Sequence, residues 1–275
     1  SVERPVDTST GSGRQRGAPL LSDIRILIDD QRSIPQINLA AASGRVYQSV
    51  DIQLVDPVAP GSPDMQILLS NALITDISYE PPARNGDSAL VAVSFRAEDT
   101  TIMTMVGTAF FNFENGGGGC AVSDPLTFVH SVNAPGGGAG LGIPITGYGF
   151  GISTPTIVDA GSRRRGDASF DDVSVYAGLL PEAACLFGTI ASGRTLSGVE
   201  IDSYDELAVG QLAAEMNLGF SRMTMFAIET DRAGNVMLSS SFEYENIEWV
   251  GYENDDNGSP AGQTTQQWNN TIGTE

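Results

Sequence analysis

Few side chains of the kind that ordinarily do chemistry are present, and their spacing says more than their number. His130 is the only histidine among 275 residues. A Ser-His-Asp hydrolase would have to pass its proton through it, and no G-x-S-x-G elbow presents a nucleophile. One histidine in a strand-like stretch, without clustered partners, reads as structural. A Cys-His pair would use Cys120, within a Gly-rich stretch. Glycines 116–119 lack the Gly-Lys-Ser/Thr ending of a phosphate loop and read as a flexible break. Asp255-Asp256-Asn257-Gly258 resembles half of a calcium loop but lacks the bidentate Glu at the required spacing, so it reads as an acidic turn. No Cys/His set has zinc-ligand spacing. These residues predict no enzyme, no cofactor and no metal. The two cysteines, Cys120 and Cys185, allow one disulfide. Cys185 is expected to be buried on a helix as a small apolar residue, and Cys120, after four glycines, to be exposed. Whether they pair is left open.

The charge is more informative. The formal net charge is −20, from 34 acidic and 14 basic residues, and every basic residue is arginine. Nucleic-acid binding calls for a basic footprint, so this balance argues against it. No run of 18 apolar residues predicts a transmembrane helix. The polar opening segment lacks the apolar core of an intact signal peptide.

The arginines cluster in two places, Arg14/Arg16 and Arg163-Arg164-Arg165, and the clusters are copies of one another. Sliding the chain against itself by 149 positions lays residues 13–52 on the stretch from 162 onward. Arg14 meets Arg163, Arg16 meets Arg165, Gly17 meets Gly166 and Asp23 meets Asp172. Ala42-Ser43-Gly44-Arg45 then meets Ala191-Ser192-Gly193-Arg194, and Val50 and Ile52 meet Val199 and Ile201. An internal repeat decides the architecture before any local reading does.

Each copy has one grammar. A basic, Gly-containing loop is followed by an alternating strand, with Ile24, Ile26 and Ile28 on one face in copy one and Val173 and Val175 in copy two. A short helix follows, capped by Ser33 in copy one and opening on Pro181-Glu182 in copy two. Both helices stop at Ser-Gly-Arg, where Gly44 and Gly193 can take the left-handed closing conformation. Strands 46–54 and 196–201 come next. The stretch from Met65 is aligned with that from Met216, and a last alternating strand, 89–102, with 238–252. The segment 105–115 reads as a further strand, 125–132 as the first strand of copy two, and 143–152 as another.

At these residues the sequence resembles the haemolysin-coregulated protein (Hcp) family, the tube protein of type VI secretion systems. The matching features are Phe170-Asp171-Asp172, the Ala191-Ser192-Gly193 turn, Val199-Glu200-Ile201, the Gly147–Gly151 aromatic-glycine strand, and Ser240-Ser241-Phe242 with Ile247-Glu248-Trp249. The match is clearest over 126–252 and weaker over 14–104. The resemblance implies a mostly β chain: two tandem Hcp-like β-barrels, each with one short α-helix. It implies self-assembly into stacked six-membered rings, here a trimer forming a pseudo-hexameric ring, with sheath or baseplate proteins and luminal cargo as partners. Such a protein would be assembled in the cytoplasm and exported, or be extracellular or particle-associated. Phage tail tubes share this fold, so a phage or phage-like tail-tube protein is the first alternative. A secreted β-rich filament or adhesin subunit is the second.

The expected division is a flexible arm 1–12, barrel one 13–115, a Gly-rich junction 116–124, barrel two 125–252 and a polar tail 253–275. Trp268 stands out in that tail as a residue able to pack on a partner. Residues 153–167 read as a long loop that carries Arg163-Arg164-Arg165, and in the tube family this loop meets the neighbouring ring. Arg14, Arg16, Arg163, Arg164 and Arg165 are therefore the expected inter-ring contacts, where a basic loop docks on acidic surface.

Overall fold

The computed structural model describes all residues except 4–5, 8–14, 17, 29–31, 56–62, 81–89, 113–115, 131–141, 154–155, 160–161, 166–168, 205–210, 231–234, 255–259 and 270–275. The chain divides into two compact units. Unit 1 is Ser1–Ala121 with Ala183–Ser192, and unit 2 is Val122–Glu182 with Gly193–Glu275.

Copy one supplies β1 (Val2–Glu3), β2 (Val6–Asp7), β3 (Gln15–Arg16), β4 (Leu20–Leu21), β5 (Ile24–Ile28), α1 (Ile34–Ser43), β6 (Val46–Leu54), β7 (Met65–Glu80), β8 (Leu90–Arg96), β9 (Asp99–Thr104), β10 (Thr108–Asn112) and β11 (Gly116–Gly119). Copy two begins with β12 (Leu126–His130), β13 (Ile143–Ile145), β14 (Gly147–Gly149), β15 (Ile152–Ser153), β16 (Thr156–Asp159), β17 (Ser162–Arg165), β18 (Ser169–Phe170) and β19 (Val173–Ala177). It continues with α2 (Ala183–Ser192), β20 (Thr195–Tyr204), β21 (Leu212–Thr230), β22 (Val236–Glu243), β23 (Asn246–Asn254) and β24 (Pro260–Asn269).

The repeat read from the sequence is a repeat of strand pairing. In unit 1, β5 pairs β8, β8 pairs β7, and β7 also pairs β6 and β9, with β10 beyond β9. In unit 2, β19, β22, β21, β20, β23 and β24 pair in the same pattern. The register repeats too: Ile24 lies opposite Phe95, and Val173 opposite Phe242. Ladder irregularities fall at Ile74/Asp76 and at Met223/Met225, again 149 positions apart. The only positive-φ non-glycine residues described are Asn71 (φ 49°) and Phe220 (φ 50°), once more the same position of the repeat. The helix-closing glycines Gly44 (φ 62°) and Gly193 (φ 69°) make a third such pair. The Gly44 and Arg45 amides donate back to Ala41 and Ala40 in α1, which satisfies the last helical carbonyls. A side-chain contact repeats as well: the Thr75 hydroxyl donates to Asp23 and the Thr224 hydroxyl to Asp172, each at 2.6 Å.

This register moves one alignment. Leu54 pairs Met65, and its counterpart Ser203 pairs Ala214, so Met65 corresponds to Ala214 and not to Met216. The expected long strand 89–102 is broken at Ala97–Glu98 into β8 and β9, which run in tandem along one edge of β7. The same break at Tyr244–Glu245 divides 238–252. At each corner an amide donates across to the strand that bends: Glu98 to Ser70 and Glu245 to Gly219. Alternation survives such a corner, so periodicity alone does not show it. The stretch 143–152 is likewise split, because β13 lies parallel to β12 whereas β14 pairs β19.

The opening segment also differs from the flexible arm expected for 1–12. β1 pairs β4, β2 pairs β3, and Val2 is 1% exposed. These pairs repeat in copy two as β15–β18 and β16–β17, so copy one includes residues before 13, back to at least Val2. The tail from 253 is not wholly irregular either: β24 pairs β23 along its length, and Trp268 stacks on Phe170 at 5.0 Å.

Each unit has its own core. In unit 1 it is built on Met65, Leu69, Val93 and Phe111, and in unit 2 on Leu126, Phe128, Ile201, Leu218 and Phe242. Phe128 and Phe242 meet edge to face at 5.7 Å. Each such side chain contributes about 1.5–3 kcal/mol when withdrawn from water.

Candidate assembly surfaces

The most informative site is the seat of α2. This helix belongs to copy two in sequence but is part of unit 1, where it packs on β9, β10 and β11. Residues Ala183 to Ala191 are all buried. Small residues make the fit possible. A Cβ added at Gly188 would meet the Cys120 carbonyl and stand 3.0 Å from the Ala109 Cβ, and one at Gly117 would meet Ala191. Cys185 on the helix is disulfide-bonded to Cys120 beside β11. The Thr189 hydroxyl turns back to the Cys185 carbonyl at 2.8 Å. Glycines 116–119, expected as a flexible junction, are instead a strand paired with β10. Gly117 has no room for a side chain because Ala191 of the helix lies against it, whereas Gly116 (φ 77°) and Gly119 (φ 112°) hold backbone conformations that favour glycine. Cys120 is half-buried rather than exposed.

α1 is placed differently. Only Ile34 and Ala40 are buried, while Leu39 is 71% exposed. Ser33 stands at its N-cap position, its carbonyl accepting from the Gln36 and Ile37 amides. Exposed apolar residues continue beside it on the opposed pair Val46–Leu73. At the same place unit 2 has a polar pair, in which the Arg222 guanidinium donates to the Thr195 hydroxyl at 2.8 Å.

Of the expected inter-ring residues, Arg163, Arg164 and Arg165 lie on β17, a strand of the β16–β17 hairpin and not the irregular loop expected over 153–167. Arg16 lies on β3, in the matching hairpin of copy one, opposite Val6. Arg14 lies outside the described residues, as does the Asp255–Gly258 turn. His130, on β12, meets Tyr148 edge to face at 6.0 Å.

The acidic face of unit 2 has no signature in the sequence pattern that singles it out. Glu200 and Asp202 on β20 and Glu215 on β21 bring one carboxylate oxygen each within 4.8 Å of one another. Burial, reinforced by the charges of Glu200 and Glu215, raises the Asp202 carboxyl to about 6. Its Oδ1 is buried without a hydrogen-bond partner among the described residues. The Tyr252 hydroxyl donates to Glu215 at 3.1 Å, and burial together with that carboxylate raises its pKa. The same positions of unit 1 hold Asp51, Gln53 and Gln66, where both amides donate to the single carboxylate at 2.9 and 2.8 Å. One charge solvated by two amides has thus become three facing charges. In this cluster, facing carboxylates of like charge favour sharing a proton. Beside it a groove of about 590 Å³ runs over the same face, lined by Glu200, Asn217, Glu248 and Gln267.

No family model matches the sequence, and no curated protein does. Solved structures of similar fold include a type six secretion system protein at 14% identity, TM-score 0.44, covering 48% of this chain and 85% of that one. An Hcp protein matches at 16% identity, TM-score 0.37, covering 46% of this chain and 74% of its own. A chain of the anti-feeding prophage baseplate matches at 13% identity, TM-score 0.31, covering 39% and 78%. The Hcp and type VI secretion structures that match each cover about half of this chain and most of themselves.

Proposed function

We propose that this chain is a structural, ring-forming tube subunit of a contractile injection or type VI-like secretion apparatus. The observation that supports this reading is the duplication together with the α2 seat. One chain holds two units in which six strands pair in the same pattern, and the helix of the second copy completes the first unit. A head-to-tail step repeated between chains closes into a ring when its rotation permits, and otherwise extends as a filament. With two units per chain, three chains make a ring of six. The β16–β17 and β2–β3 hairpins, which carry Arg163–Arg165 and Arg16, are the proposed contacts between rings, docking on acidic surface. Sheath or baseplate proteins outside the tube and cargo within it are the proposed partners.

Negative-stain images of the purified chain test this directly. Stacked rings with an open channel are expected, and channel-less fibres would indicate a filament subunit instead. Replacing Arg163, Arg164 and Arg165 together by Gln is expected to leave rings that no longer stack. Unchanged stacks would remove the hairpin from the inter-ring contact.

A further inference from the structure

The chain contains one helix that is fully seated and one that is not. α2 is buried over nine residues in unit 1, whereas α1, its counterpart in the repeat, leaves Leu39 71% exposed. We propose that the open face of α1 is covered by a second copy of this chain, which offers strand β24 of its unit 2. This inference rests on the ring reading above and identifies the seam between chains.

Three observations converge on it. The first is position in the repeat. Leu39 stands where Gly188 stands in α2, 149 residues on. Gly188 lies against Ala109 on β10. Ala109 pairs Ile102, which pairs Ile67, and Gln266 pairs Trp249, which pairs Met216. Ile67 and Met216 are one repeat apart, so Gln266 is the unit 2 counterpart of Ala109. The counterpart of the α2 seat is therefore the exposed face of β24 around Gln266.

The second is charge. On a chain of net charge −20, α1 (IPQINLAAAS) and β24 (PAGQTTQQWN) carry no charged residue at all. They are the helix and strand that two such chains can bring together without opposing carboxylates. The third is what the internal seat has and this one lacks. Gln36 stands at the position of Cys185, and both cysteines are already paired with each other. The seam between chains is thus held by apolar and amide contacts, while the internal seat is covalently closed. A ring of three chains would alternate disulfide-tied seats with reversible ones.

The test uses the full chain. Leu39→Glu places a charge on a residue that contributes little to the fold. It is expected to leave the thermal midpoint unchanged and to weaken association, read by sedimentation equilibrium, about 10- to 100-fold, the range for losing one buried leucine. Independently, the double variant Leu39→Cys/Gln266→Cys, oxidised under mild conditions, is expected to give covalent species up to the trimer on non-reducing gels, and each single variant to run as a monomer. An L39E protein that associates like the wild type, or a double variant that stays uncross-linked or bonds only within one chain, would overturn the seam. Stacked rings indifferent to L39E would sink the seam and leave the tube standing. Closed trimers that cross-link through 39 and 266 but never stack would do the reverse.

Discussion

Phe220 shows how far one residue's backbone can be bent by the demands of its element. Its φ of 50° is tolerated easily by glycine or asparagine but costs a bulky residue about 1–2 kcal/mol. Copy one meets the same demand with Asn71. The phenylalanine ring is 60% exposed, so little burial is lost on removing it. Phe220→Gly is therefore expected to raise stability by about 0.5–1 kcal/mol, after the added chain freedom of glycine is set against the relieved strain, and a urea denaturation midpoint measures it. Asn71→Gly should shift the midpoint much less. Asp202 gives a pH-dependent counterpart. Its folded-state carboxyl is raised to about 6, above its ordinary 3.8, so the fold binds that proton more tightly than the unfolded chain does. The penalty is present at neutral pH and is relieved as the pH falls through 6 toward 4. Asp202→Asn should accordingly stabilise the protein at pH 7.5 and leave it little changed at pH 4.5, in paired thermal melts. The individual carboxylates can be read from the sequence, but their convergence cannot. Glu215 joins Glu200 and Asp202 only through the β20–β21 register, and a shift of one residue would turn it to the opposite face.

At the scale of elements, the alternating apolar residues of β5, β6 and β19 and the Ser-Gly-Arg helix stops were legible because their causes are local. The corners at Ala97–Glu98 and Tyr244–Glu245 were not, since a strand keeps its alternation while passing along two halves of a bent neighbour. Least legible was the home of α2. Its sequence predicts a buried helix, but which unit buries it depends on Gly117, Ala109 and Cys120, more than 60 residues upstream. The pattern of glycines was visible, but its reason was not. Two substitutions probe this seat. Gly188→Ala improves helix propensity by about 1 kcal/mol, yet its Cβ would press on the Cys120 carbonyl, and overpacking costs about 1–3 kcal/mol. A net loss of up to about 2 kcal/mol is expected in chemical denaturation. Replacing both Cys120 and Cys185 by Ala opens a closure spanning 65 residues, for which chain entropy predicts a loss of about 4 kcal/mol. A drop of that order, matched in the wild type by adding reductant, is the expected result.

At the scale of the whole molecule, the two proposed contact types should respond to salt in opposite ways. Every chain carries a net charge of −20, so bringing chains together opposes like charges wherever no basic group intervenes. The seam through α1 and β24 has no charged residue of its own, and it gains from screening of the surrounding carboxylates. The contact between rings relies instead on arginines of one ring meeting acidic surface of the next, an attraction that screening removes. The Debye length is about 8 Å at 0.15 M salt and about 3 Å at 1 M. Raising salt over that range should dissolve stacks into single rings while leaving the rings intact, a change that sedimentation velocity resolves as the loss of fast species in favour of one discrete boundary. If the stacks lengthen instead, arginine pairing is not what joins the rings. If rings and stacks fall apart together, the seam is itself electrostatic, and its assignment to the uncharged helix and strand is wrong.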